Sequence, residues 1–188
     1  MRIILVSNLY PNSKEPMRAL YNSRLFRALH GLGYELEVIA PLPWFPGKRG
    51  LPPKVEQIDG VSISHPRYFY TPGFAIHHHW RFYSLAVRSL LRRRVTVSEE
   101  PVHVVLGFVY ADAVAMAPVC EALCVSYSVL VLGSDFRVRM RQVKFKSMVE
   151  QCLMQAPHVF CPGSALRRDM ISAGLPSNRV HAFNNGVD

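Results

Sequence analysis

Short β-branched runs alternate with helix-length amphipathic segments along almost the whole of this chain. Arg2–Ser7 (RIILVS), Glu35–Ala40 (ELEVIA), Val102–Leu106, Tyr127–Leu132, His158–Cys161 and Arg179–Phe183 read as strands. The first, a short β-branched run without a polar residue at every second position, suits a strand covered on both faces. Between them, Met17–Gly33, His77–Val95, Tyr110–Leu123, Phe136–Gln155 and Ser164–Ala173 carry helical periodicity. Leu20, Leu25, Leu29 and Leu32 line one side of the first of these, and Gly31 and Gly33 stop it. Strands alternating with helices at this spacing predict an α/β fold. The expected form is a doubly wound, mostly parallel sheet in a Rossmann-like three-layer αβα arrangement.

Two stretches interrupt that rhythm. Pro41–Pro53 is dense in proline and glycine and contains Trp44 and Phe45; it reads as a long surface loop. Val55–Ile58 and Val61–His65 are strand pieces around Asp59-Gly60, a turn pair. Pro66–Ala75, rich in aromatics, reads again as loop.

At 188 residues the chain suits one domain spanning 1–188. Hydrophobic residues at 49% and charged residues at 19% exclude a disordered chain. Lys and Arg exceed Asp and Glu by 22 to 13, a formal charge of +9, which favours anionic partners. Cys120, Cys124, Cys152 and Cys161 lack the spacing of a disulfide framework or a zinc site, so reduced core thiols of a cytosolic protein are expected, with no metal. The apolar start at Ile3–Val6 is too short for a signal peptide. No stretch reaches the ~20 apolar residues of a membrane span.

In an open parallel sheet, ligands sit beyond the carboxyl ends of the strands. The first such loop excludes a dinucleotide site, because Ser7–Leu20 contains no glycine to let backbone amides approach a pyrophosphate. Gly133-Ser134-Asp135 follows a strand and opens a helix. Ser134 or Asp135 is suited to cap that helix, and Asp135 also to face the cleft and bind substrate hydroxyls. Asp112 admits the same two readings at the preceding helix. On His77–Val95, Arg81, Arg88 and Arg92 form one stripe, opposite an apolar side that includes Tyr83, Val87 and Leu91. No acidic residue lies between His65 and Ser98. The stripe reads either as an ordinary solvated face or as a dock for an anionic membrane surface. Arg137, Arg139, Arg141, Lys144 and Lys146 form a second basic stretch. Nucleic acid is disfavoured, because the aromatics do not interleave as a stacking platform.

Several segments together resemble the N-terminal domain of GT-B-fold glycosyltransferases of family 4 (group 1). They are the opening stretch through Trp44-Phe45-Pro46, the pair YADAVAMAPVCEAL and SYSVLVLGSD, and CPGSALRRDMISAGLPSNRVHAFNNGVD. In that family an Asn-Gly-Val-Asp tetrapeptide, here Asn185–Asp188, marks the crossing into a second domain. The resemblance implies an acceptor-side domain of a retaining glycosyltransferase, with a glycan or lipid-linked acceptor in an envelope polysaccharide or glycolipid context. It places the nucleotide-sugar donor in a C-terminal domain absent from this chain, so no cofactor is expected here and the fragment by itself is expected to be inactive. The candidate catalytic residue is Asp135, and Tyr10, Arg18, Asp112, Gly133, Ser134, Asn185 and Gly186 are candidate substrate contacts. Arg81, Arg88 and Arg92 are the candidate membrane contacts of a cytoplasmic protein, peripheral at the inner face of the plasma membrane. Three positions depart from the family pattern: Met17-Arg18-Ala19-Leu20 lacks glycine, Ala111-Asp112-Ala113 stands for Pro-Asp-Gly, and Leu132 stands where many members have histidine. The alternative reading is a self-standing module for anionic ligands or membrane surfaces.

Overall fold

A computed structural model describes residues 1–184. In chain order the elements are β1 (Arg2–Val6), α1 (Leu20–Gly31), β2 (Glu35–Ile39), β3 (Leu42–Trp44), β4 (Val55–Ile58), β5 (Val61–Ser64) and β6 (Arg67–Phe69). A 3-10 turn at Ile76–His78 leads into α2 (His79–Val97) and β7 (Val102–Leu106). A π-helical turn at Val109–Ala113 leads into α3 (Val114–Ala122). Then come β8 (Ser126–Leu130), α4 (Ser134–Met140), α5 (Val143–Gln155), β9 (Val159–Pro162), α6 (Ser164–Ser172) and β10 (Val180–Phe183).

The main sheet has the order β10-β9-β8-β7-β1-β2-β5-β4. Its pairings are parallel except β4–β5, which is a hairpin. Asp59 and Gly60 both take left-handed φ angles in that hairpin turn, as a two-residue loop matching the strand twist requires. The chain winds outward from β1 in one direction through β2 and returns to β7 on its other side. The switch point therefore falls between β1 and β7, where a crevice opens at the carboxyl ends of an open sheet.

The two sheet faces are covered unequally. On one, Ile4, Val6, Val104, Leu106, Val129 and Val159 pack in one core with Tyr83, Val87 and Leu91 of α2, Met116 and Cys120 of α3, Val149 and Leu153 of α5, and Met170 of α6. On the other, Ile3, Leu5, Leu36, Val38 and Ile63 pack with Phe26 of α1. Among the described residues, α1 is the helix that builds this second layer. Fully burying a side chain such as Phe26 contributes about 1.5–3 kcal/mol. Glu37 on β2 is buried between Arg2 (2.5 Å) and Arg94 (2.8 Å). Arg94 thus turns inward near the end of α2 and joins that helix to the sheet.

The structure departs from the sequence expectation at several points. The first helix begins at Leu20 rather than Met17, because Ala19 takes a left-handed conformation (φ 49°, ψ 50°) before it. The stretches expected as loops each contain a strand: β3 and β6 pair in parallel, Trp44 beside Phe69, in a separate two-stranded ribbon. Long-range pairing, invisible to local patterning, makes them strands. The helix expected over Phe136–Gln155 is two helices, because Gln142 is extended at the join. The helix expected from Tyr110 begins as a π-helical turn with Tyr110 itself extended.

Candidate functional site

Two buried carboxylates lie beneath the crevice at the switch point. Asp112 is 0% exposed. The Asn8 backbone N–H donates to both its oxygens (3.1 and 3.2 Å), and the Tyr83 hydroxyl donates to one of them at 2.7 Å. It thereby joins the loop after β1, the start of α3 and the middle of α2. Burial pushes its pKa up to about 7 against the pull of these hydrogen bonds. This long-range bonding replaces the capping role expected from sequence, for no side-chain bond caps its own helical turn.

Asp135 is 7% exposed and accepts four backbone N–H bonds. Leu132, Gly133 and Phe136 donate to Oδ1 at 2.9–3.1 Å, and Val109 donates to Oδ2 at 3.3 Å. Burial raises its pKa, and those four donors oppose the rise. The side chain fastens the loop after β8 to the loop after β7. The expected helix cap is absent: the cap position belongs to Gly133, at φ 104°, and no side-chain cap bond forms. Ser134, the first residue of α4, is exposed.

The near wall is built by the loop after β1 and by α1. Asn22 of α1 is buried and donates to Leu9 O (2.8 Å) and Ser7 Oγ (3.2 Å), so the glycine-free loop is tied down by side chains. Arg18 donates to Asn8 O (3.2 Å) and pairs with Glu15 (2.6 Å). Sequence reasoning missed Tyr21, a partly exposed residue in the first turn of α1. Burial, then the charges of Asp135 and Asp112, push its phenol up to about 12. Its position directly after the loop was the one signal that could have found it. At the floor, Gly107 is needed for space: a Cβ there would meet Ser7 Cβ and Oγ at 2.6 Å.

Tyr10 does not join this group. It is buried, and it lines a pocket of about 230 Å³ between α1 and the β4–β5 hairpin, with Leu20, Arg27 and Asp59. Burial pushes its phenol up to about 12. Asn185 and Gly186 lie outside the described residues. Arg81, Arg88 and Arg92 are exposed on α2, the latter two bordering a groove with Pro118 and Val119 of α3, and among the described residues none pairs with a carboxylate. No group of three His, Cys, Asp or Glu side chains suited to a metal ion occurs among the described residues. All four cysteines are free thiols. No helix of the described residues is long and apolar enough to cross a membrane.

A mostly parallel sheet with helices on both faces and its switch point between β1 and β7 defines the class as a doubly wound, Rossmann-like α/β domain, and the comparisons narrow it. Residues 19–188 match the model of Glycosyltransferase Family 4, and the chain belongs to that family. It is 24% identical over 150 residues to a Bacillus subtilis (strain 168) protein named as the teichuronic acid biosynthesis glycosyltransferase TuaC. That match covers 73% of this chain and 38% of the relative. Among solved structures, a sucrose-phosphate synthase chain from Thermosynechococcus elongatus superposes with a TM-score of 0.68 at 13% identity, covering 100% of this chain and 91% of that one. The UDP complex of Arabidopsis thaliana UGT89C1 gives 0.63 at 11% identity (100% and 49%). A UDP-GlcNAc 2-epimerase from Methanocaldococcus jannaschii gives 0.62 at 12% identity (98% and 46%). At these identities the structural likeness speaks to fold alone. The chain spans well under half the length of its curated relative and about half that of two of these three structures.

Proposed function

We propose that this chain is the acceptor-side domain of a retaining glycosyltransferase that moves a sugar from a nucleotide-sugar to a polysaccharide, glycolipid or other envelope glycan. The observation that carries this reading is the pair of buried aspartates, Asp112 and Asp135, that tie together the loops after β1, β7 and β8 at the switch point, with Arg18 fastened to the first of those loops and exposed Ser134 following the last. Hydroxyl and guanidinium groups on a rigid floor suit a polyhydroxylated acceptor. The two aspartates act here as positioning residues, because their oxygens are occupied by the floor's own donors. The nucleotide-sugar belongs to a second domain, as in the family's two-domain plan. The kinship with a protein named for teichuronic acid biosynthesis supports an envelope-glycan acceptor.

The test is transfer by the full-length protein from UDP- and GDP-sugars to glycan and lipid-linked acceptors, with the anomeric configuration of the product read by NMR. Transfer with retention is the expected result. Absence of both hydrolysis and transfer across the common donors counts against the reading and favours the alternative, a module that binds anionic ligands without catalysis.

The same reading places the enzyme at the cytoplasmic face of an anionic membrane through α2. Leu85, 55% exposed, projects from the outer face of that helix, with Arg81, Arg88 and Arg92 at helical spacings around it. Replacing the three arginines by glutamate is expected to abolish co-sedimentation with anionic vesicles; unchanged binding removes α2 as the anchor.

A further inference from the structure

We propose that the corner between α4 and α5 is a second membrane contact, clamped to the start of α2, so that the domain docks on an anionic bilayer at two points and in one orientation. The inference rests on the membrane reading of α2 and adds a surface to it. Val143, the first residue of α5, is 89% exposed, the most exposed large hydrophobic side chain among the described residues, and Val138 on α4 is half exposed. Arg141 and Lys144 stand beside Val143, both exposed, and among the described residues neither has a carboxylate partner. No Asp or Glu occurs from Phe136 through Val149. Exposed apolar side chains set among unpaired cations, with no anion to repel a headgroup, match the boundary of an acidic lipid layer.

This corner is joined to α2 by Tyr110. The Tyr110 hydroxyl donates to the Ile76 carbonyl in the turn that begins α2. Its ring packs edge-on against Phe145 of α5 at 4.8 Å. Arg139 of α4 lies over both rings, 5.3 Å from Tyr110 and 4.2 Å from Phe145. One aromatic residue therefore holds three elements together. On the α2 side of this clamp, the preceding loop carries Phe74, 74% exposed, and the turn carries exposed Ile76. The apolar points on either side are thus fixed relative to one another. Tyr110 directly follows Val109, whose N–H bonds Asp135, so the clamp borders the crevice floor. Docking through it sets the crevice beside the lipid surface, where a lipid-linked acceptor is anchored.

The experiment uses the full-length protein and vesicles of phosphatidylcholine with 30% (about one lipid in three) phosphatidylglycerol, against pure phosphatidylcholine. Arg141→Gln with Lys144→Gln is expected to weaken binding to the anionic vesicles about thirtyfold, from about 1 kcal/mol for each of the two cations, with an unchanged melting curve. Val143→Trp is expected to show a blue-shifted emission on adding anionic vesicles and none on adding neutral ones. If the α2 arginine variants lose binding while the corner variants keep it and Val143→Trp does not shift, the second contact is overturned and the α2 anchor stands. If no variant changes binding, both are overturned. A shift of Val143→Trp with soluble glycan polymer instead of vesicles assigns the corner to a carbohydrate and overturns the proposal as well.

Discussion

The Tyr83 hydroxyl donates to Asp112 at 2.7 Å, with both side chains fully buried. One residue lies on the helix before β7, the other in the turn after it, and the Asp112 carboxylate then reaches back to the Asn8 N–H. This contact sets the level of the crevice floor. Removing the donor by Tyr83→Phe leaves a buried carboxylate short of a partner. The expected cost is about 1–3 kcal/mol in urea unfolding. A change below a few tenths would show that the hydroxyl carries no weight.

Asp112 also makes stability depend on pH. Its folded pKa of about 7 lies above the ordinary aspartate value of 3.8, so the folded state favours the proton. A raised pKa contributes stability that is complete below the unfolded value and is lost as pH rises through the folded one. The domain is therefore expected to lose stability between about pH 4 and pH 7, on the order of a few kcal/mol. Asp135, whose pKa is raised by burial too, acts in the same direction. Denaturation curves from pH 4.5 to 8.5 check this, and Asp112→Asn should flatten most of the slope.

Gly107 marks the tightest approach at the switch point. Gly107→Ala places a methyl 2.6 Å from Ser7 Cβ and Oγ and 3.3 Å from Leu5 Cδ1. Neither neighbour has room to yield, since Ser7 and Leu5 are fully buried. Overpacking of this kind costs about 1–3 kcal/mol. Ser7→Gly in the same chain should recover part of the loss, a non-additivity that thermal melts can read.

Ala19 occupies a left-handed position that disfavours any side chain. Ala19→Gly is expected to stabilise the domain modestly, by up to about 1 kcal/mol, because the relief of the left-handed strain exceeds glycine's entropy cost. Ala19→Val should destabilise it. If valine were tolerated at no cost, the turn before α1 would be free to relax elsewhere.

Tyr21 tests the crevice without testing the fold. Its phenol is partly exposed, so Tyr21→Phe should shift stability by less than about 0.5 kcal/mol. In the full-length transferase it is expected to raise KM for the acceptor severalfold with little change in kcat. Equal loss in both would place Tyr21 at the transition state instead.

The layout of the sheet was legible because its signals are local. Arg2–Val6, Glu35–Ile39, Val102–Leu106 and Val159–Pro162 sit within a residue or two of their sequence-expected positions. Asp59-Gly60 formed the turn its dipeptide demands. In the glycine-free stretch before α1, Ala19 adopts a left-handed conformation that glycine would take more freely. The ribbon of β3 and β6 was hidden because neither strand alternates by itself, and each exists through the other, about 25 residues away.

The sequence alone settled the fold class, the family and the acidic residues worth examining, since apolar periodicity, turn chemistry and motif spacing are written along the chain. Only the folded molecule decided where those acids point. Asp112 lies 104 positions from Asn8, yet their hydrogen bond determines its role. Asp135 meets Val109 through the crossover between β7 and β8. Tyr10, one residue past Leu9, turns away into the pocket beside α1. Such partners are chosen by strand order and helix packing, which bring distant residues within hydrogen-bond reach, and no local pattern encodes that distance.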